Sequence, residues 1–300
     1  MKNKGYILVL TTALISGFSI FLNKFAVSLA SPYIFTFLKN TLVALFLTAI
    51  IVAARNISLL KALSKKQWLL LSAVGLMGGS IPFLMFFKGL TLTTAAEASF
   101  IQKTMFIWIF ILASVFLKEK ITRGYLLAGL ALIAANVMLL NISQIKPSWG
   151  TLLIFLATVF WAIENVISKY LMAELPAKIV VWARMFFGSI FILVFLAATH
   201  QLAPIKEINS SQIWWVIFTG VLLFGYVSSW YAGLKHIKVS EAALILMLGS
   251  PVTTILATVF NKPASLAEYL SGLLIILGII LALKIKRTKP IEKNYVSVRS

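Results

Sequence analysis

The sequence predicts an all-α membrane protein of ten transmembrane helices, built as two inverted five-helix repeats, and three observations carry that expectation. Of the 300 residues, 61% are hydrophobic and 12% charged, whereas about a quarter of a soluble globular domain is charged. The apolar residues gather into runs that each approach the roughly 20 residues a helix needs to cross a bilayer. The second half of the chain also echoes the first at an offset of 144–145 residues.

The runs lie at about 6–28, 33–53, 68–89, 95–117, 124–142, 149–171, 178–199, 212–234, 241–260 and 266–284. The first has Lys2 and Lys4 before it and the small-x-small step Ser28-Leu29-Ala30 after it, the outline of a signal peptide. Its apolar region, Gly5 to Leu22, is longer than the roughly 7–15 residues of such a leader, so it is read as a retained span. In the third run Gly75, Gly78, Gly79 and Pro82 share one face, which permits close backbone approach and a local break. The fourth and ninth runs open with Glu97 and Glu241, and Thr94-x-x-Glu97 fits a capping box.

Basic residues set the orientation. Four lie in loops assigned to the outside (Lys88, Lys146, Lys206, Lys262), five lie inside spans (Lys24, Lys39, Lys103, Lys169, Arg184), and the remainder of the 27 fall on the side of the N-terminus. The positive-inside rule therefore puts both termini in the cytoplasm and makes the chain an integral inner-membrane protein. The net charge of +19 is a topology signal with some attraction to anionic membrane lipids, and it does not call for nucleic acid.

The same composition excludes several chemistries. All eight acids are glutamate, so no Walker-type or phospho-aspartyl ATPase site can be built. There is no cysteine, and the two histidines, His200 and His236, stand apart from each other. The serines lack a base, so neither an enzyme, a cofactor nor a metal site is expected.

At the repeat offset Lys24 pairs with Lys169, Lys39 with Arg184, Gly89-Leu90 with Gly233-Leu234, Glu97-Ala98 with Glu241-Ala242, and Tyr125 with Tyr269. Five spans is an odd number, so the second repeat starts on the opposite side of the membrane, and the two units are 1–145 and 146–300. Inverted repeats bring matching helices around a site near the midplane. With Trp161-Ala162 and Lys169 in the sixth span, Gly233-Leu234 leading to Glu241-Ala242, Pro251 in the ninth, and Phe116-Leu117-Lys118-Glu119 before a fifth span with Gly129, the chain resembles the EamA family of the drug/metabolite transporter superfamily. The resemblance covers nearly the whole chain. It implies secondary transport of small metabolites, often amino acids or their relatives, through a central cavity. Pro263 stands where it implies a glutamate.

Candidate solute contacts come from polar residues inside spans. Trp161, Glu164, Asn165 and Ser168 fall on one face of the sixth span, and Ser16, Ser19 and Asn23 fall on the matching face of the first. Such a stripe either binds solute or hydrogen-bonds between helices. Glu164 is too deep to snorkel, so it is paired, protonated or hydrated: it serves a substrate ammonium or a coupled proton, or it pairs with Lys39 or Arg184 to fix packing. Lys39 and Arg184 either enter the cavity or snorkel, and the same choice holds for Lys24 and Lys169 nearer their helix ends. Lys103 lacks a repeat mate, its counterpart being Met247, and shares a face with Ser99, Gln102 and Phe106. Tyr226 and Trp230, with Trp161, can enclose a side chain. Both charge signs together suit a zwitterionic or anionic solute, an amino acid above all, moved by alternating access. The rival expectation is a lipid-headgroup-binding or non-transporting membrane subunit.

Overall fold

The structure, a computed structural model, describes residues 2–28, 31–139 and 147–261, together with Leu274 and Leu277. Most of the tenth run, Pro263, Tyr269 and the basic tail therefore lie outside the described residues.

The elements in order are α1 (Lys2–Ala26), α2 (Pro32–Ala53), α3 (Ile57–Lys61), α4 (Lys65–Val74), a π-helical turn (Gly75–Ser80), α5 (Ile81–Leu92), α6 (Ala95–Lys103), α7 (Met105–Phe116), α8 (Arg123–Leu139), α9 (Trp149–Leu171), α10 (Ala177–Ala198), a short 3-10 turn (Ala203–Glu207), α11 (Ser210–Leu234), α12 (Val239–Leu246) and α13 (Gly249–Asn261). Among the described residues, seven helices are long and apolar enough to cross a membrane; two of them join α4 to α5 through the π turn and α6 to α7. Two shorter apolar helices run over Arg123–Ala135 and Val239–Thr253. This is an integral membrane protein.

Helix ends follow local chemistry. Ser64, Thr94, Ser148 and Asn209 each close a capping box, satisfying N–H groups that a helix start leaves open. Lys238, the repeat mate of Thr94, has no side-chain acceptor to offer α12. Glu119 takes over that task from the other half, accepting Val239 N at 3.1 Å, Ser240 N at 3.2 Å and Ser240 Oγ at 2.5 Å. Glu241 accepts the hydroxyls of Tyr6 at 3.0 Å and Tyr125 at 2.6 Å, while Glu97 completes the capping box at the start of α6.

Several devices recur at the repeat offset. Helix α2 ends with Arg55 in the left-handed region (φ 53) and α10 with His200 (φ 54). Each is followed by a bond back to the last turn, Asn56 N to Ile51 O at 3.0 Å and Gln201 N to Leu196 O at 2.9 Å. The apolar run from Ala95 to Phe116 breaks between Lys103 and Met105, and its repeat-matched run breaks between Leu246 and Gly249. Gly5 of α1 lies against Gly233 of α11, where a methyl built on either glycine would come within 3.2–3.3 Å of the other's carbonyl oxygen. Their mates, Gly150 of α9 and Gly89 of α5, make the same contact, with separations of 2.8 and 3.2 Å.

The halves are interleaved. α1 packs along α11 and α13, α9 along α5, α6 and α7, and α2 and α10 pack on each other. The expected break in the third span is the π turn, a form that frees backbone carbonyls inside a helix. Two of these are used by side chains of other helices: Gly79 O accepts Asn40 Nδ2 at 2.9 Å, and Gly78 O accepts Trp161 Nε1 at 3.0 Å. The matching stretch of α11 remains regular α-helix.

Candidate functional site

A small central cavity lies where these helices converge, drawing its walls from α1, α2, α5 and α6 of the first half and α9, α10 and α11 of the second. Its polar lining is Ser16, Ser19, Asn23, Gln102, Lys39 and Arg184. Its apolar lining is chiefly aromatic: Phe83, Phe86, Phe87, Trp161 and Tyr226, with Ile20 and Leu223. The free volume is about 50 Å³, room for a few waters at ~10–15 Å³ each. Solute pockets are commonly ~300–1,000 Å³, so this conformation leaves little free space at its site.

Lys39 is 1% exposed and Arg184 4%, so neither reaches lipid. The snorkelling alternative fails for both because each meets the cavity wall first. The Lys39 ammonium donates to Asn23 Oδ1 at 3.0 Å and stands 3.7 Å above the Phe87 ring, a cation–π contact. Asn23 in turn donates to the Ser19 hydroxyl at 2.9 Å. The second half carries the same constellation at the repeat offset: Arg184 for Lys39, Tyr231 for Phe87, Ser168 for Asn23 and Glu164 for Ser19. Arg184 Nε lies 3.8 Å from Glu164 Oε2, while Glu164 Oε1 accepts the Ser168 hydroxyl at 2.5 Å and the Tyr231 hydroxyl.

Glu164 is fully buried and does not line the cavity. Of the alternatives open in the sequence, the structure gives it the partner Arg184. Gly78 makes room for the pair, because a methyl there would run into the Glu164 side chain and meet Arg184 Nε at 2.9 Å.

Other expected contacts are placed elsewhere. Lys24 donates to the carbonyls of Leu90, at 2.7 Å, and Thr93, and Lys169 donates to those of Leu234 at 2.5 Å and Ile237 at 2.7 Å. Each lysine thus closes the C-terminus of a helix in its own half, where unpaired carbonyls and the helix dipole attract a cation, and neither belongs to the cavity wall. Asn165 and Trp230 also turn away from the cavity: Trp230 Nε1 donates to Asn165 Oδ1 at 2.6 Å, and Asn165 Nδ2 to Trp161 O at 2.7 Å. Lys103 lies directly behind the lining, donating to Ser16 Oγ at 2.6 Å and Gln102 Oε1 at 2.8 Å.

The phenylalanines were missed in the sequence. Phe83, Phe86 and Phe87 stand at i, i+3 and i+4 straight after Pro82, a spacing that puts three rings on one helical face. In a chain with 22 phenylalanines that signal does not stand out from lipid-facing positions. Tyr231 was legible in principle as the repeat mate of Phe87.

A family model described as the EamA-like transporter family matches this chain twice, over residues 3–142 and again over 148–284. The chain belongs to the EamA-like transporter family. Among EamA relatives, an uncharacterized transporter, YyaM, of Bacillus subtilis is 25% identical over 291 residues, 92% of each chain. A second protein of that organism, the uncharacterized transporter YoaV, is 26% identical over 247 residues, covering 80% of this chain and 82% of its own. A protein of Fusobacterium nucleatum named riboflavin transporter ImpX is 25% identical over 298 residues, 92% of this chain and 96% of its own. A solved crystal structure 20% identical in sequence superposes with a TM-score of 0.77 over 96% of this chain and 99% of that one, which shows the shared fold.

Proposed function

We propose that this membrane transporter is a secondary carrier of a small organic anion, working by alternating access across the inner membrane. It is built from two inverted five-helix units, 1–145 and 146–300, with both termini cytoplasmic. The observation that carries the reading is the cavity between the halves: two repeat-matched cations, Lys39 and Arg184, face an aromatic chamber, and no acid lines it among the described residues. A carboxylate can meet both cations. An ammonium has no acid on that wall to receive it, and this turns the amino acid expected from the sequence into an organic anion with a flat or apolar body.

Alternating access is supported by the two glycine contacts. Tracing successive spans back and forth puts Gly5 and Gly233 on the face of the N-terminus and Gly89 and Gly150 on the opposite face. Each contact brings the same two kinds of helix, first with third of the other half, to backbone distance. A carrier that opens to one side and then the other needs a closure at both ends of this type. The twofold match of the family model supports the division into two units. Glu164 holds Arg184 at the cavity wall.

The aromatic chamber also suits a planar heteroaromatic solute, and the name riboflavin transporter borne by one relative makes such a compound a second reading. Headgroup binding is disfavoured because the cavity cations are buried inside the helical bundle. The test is a solute screen in liposomes with purified protein, with and without a pH gradient. Uptake of organic acids supports the proposal; uptake of flavins alone supports the second reading; and lipid binding without uptake of any solute refutes both.

A further inference from the structure

The two halves present the same constellation to the cavity with one change of charge. In the second half, the cation Arg184 has the carboxylate of Glu164 at 3.8 Å. In the first half the mate of Glu164 is Ser19, so Lys39 is held by the neutral amide of Asn23 and the faces of Phe87 and Phe35, and no carboxylate lies within ion-pair distance of it among the described residues. Lys103 repeats the situation. It is 3% exposed, its partners are the Ser16 hydroxyl and the Gln102 carbonyl, and it too has no acid within ion-pair distance among the described residues.

Burying an ammonium without a counter-charge is costly, and such groups inside membranes mark solute and ion paths. Each ammonium carries three N–H donors. Lys39 spends one of these on a hydrogen bond and Lys103 two, which leaves donors on both for oxygens that the protein does not supply. The lysines are also held apart. Asn23 and Ser16, which anchor them, are seven residues apart on α1, about 10 Å at 1.5 Å per residue, and both line the cavity.

We infer that the solute is a dianion with two separate acid groups, of the dicarboxylate class. One acid group takes the place of the missing counter-charge at Lys39, beside Arg184, and the other is drawn to Lys103 through the Ser16 and Gln102 positions. The inference rests on the reading of the cavity as an organic-anion site and sharpens it from one negative charge to two. A phosphate monoester, with both charges on one group, cannot serve two ammonium groups so far apart.

The test uses the full-length purified protein and measures thermal stabilisation by succinate and glutarate, by acetate and propionate, and by a phosphate monoester, at one ionic strength. The dicarboxylates are expected to stabilise at concentrations lower by on the order of ten-fold or more, since each charge-assisted hydrogen bond contributes at that scale. Lys103→Gln is expected to erase the difference between dicarboxylate and monocarboxylate while keeping the response to both, and Lys39→Gln to weaken the response to both by about 10- to 100-fold. Equal responses to one and two acid groups in the unsubstituted protein overturn the inference while leaving the anion reading standing. A phosphate monoester outranking the dicarboxylates likewise overturns it, as does a preference that survives in Lys103→Gln. If no anion stabilises the protein, the anion reading itself falls. The comparison among solutes needs no variant, so it decides the matter even if Lys103→Gln does not fold.

Discussion

Enlarging Gly5 or Gly150 should push the carrier open on opposite sides. A methyl on Gly5 would stand 2.8 Å from His236 Cβ and 3.3 Å from Gly233 O, and a methyl on Gly150 would stand 2.7 Å from Leu92 Cβ and 3.2 Å from Gly89 O. These separations are well inside van der Waals contact and the neighbours include backbone, so α1 must move from α11, or α9 from α5. Overpacking of this kind costs about 1–3 kcal/mol. The cost falls on conformations in which that end is closed, so the conformation open at that end gains roughly 5- to 150-fold in relative population. The chain has no cysteine, so a single Ser19→Cys reporter in the cavity wall gives a clean readout. In oriented proteoliposomes, Gly5→Ala should speed labelling of that cysteine by an impermeant thiol reagent added on the side of the N-terminus, and Gly150→Ala should speed it from the opposite side. Faster labelling from the same side in both variants, or no change in folded protein, would refute the reasoning.

Three further outcomes follow from the same structure. Glu164→Gln leaves Arg184 without its counter-charge, so stability should fall by about 3–5 kcal/mol, read by thermal unfolding, and an organic acid should restore part of the loss; an unchanged melting profile contradicts the ion pair as described. Lys24→Met and Lys169→Met should each lower stability by about 1.5–3 kcal/mol through lost charge-assisted bonds to helix-end carbonyls, while solute preference stays the same; altered selectivity would return these lysines to the cavity. Glu119→Ala removes the cap of α12 and should cost about 1–2 kcal/mol, visible as faster hydrogen exchange confined to the start of that helix.

The sequence made the all-helical, membrane-spanning character legible because apolar length is a strong pattern. Apolar length marks a crossing helix whatever its neighbours, and Lys39 with Arg184 stands out because a cation inside a span is rare and this pair recurs at the offset. The partners were harder to read. Lys24 and Lys169 have the same repeat signature as Lys39 and Arg184, yet they bind carbonyls of α5 and α11, since what separates a cavity cation from a helix-closing one is the helix facing it. Glu164 was visible as an anomaly, but the choice between solute and Arg184 depended on the π turn and on the space Gly78 leaves. The glycines and Pro82 marked that turn in the sequence, but its packing against α10 is recorded by no local pattern. The aromatic wall was hidden by abundance, and the transfer of capping from Lys238 to Glu119 joins residues 120 positions apart.

The central claim is that Lys39 holds a solute anion, and it is tested most directly by counterflow of a radiolabelled dicarboxylate into liposomes containing the unsubstituted protein or Lys39→Gln. The account predicts saturable counterflow in the former, and in the latter an apparent affinity weaker by about 10- to 100-fold, the scale of one charge-assisted hydrogen bond of ~1.5–3 kcal/mol. Counterflow of equal affinity in Lys39→Gln, or none for any organic acid in the unsubstituted protein, would contradict it.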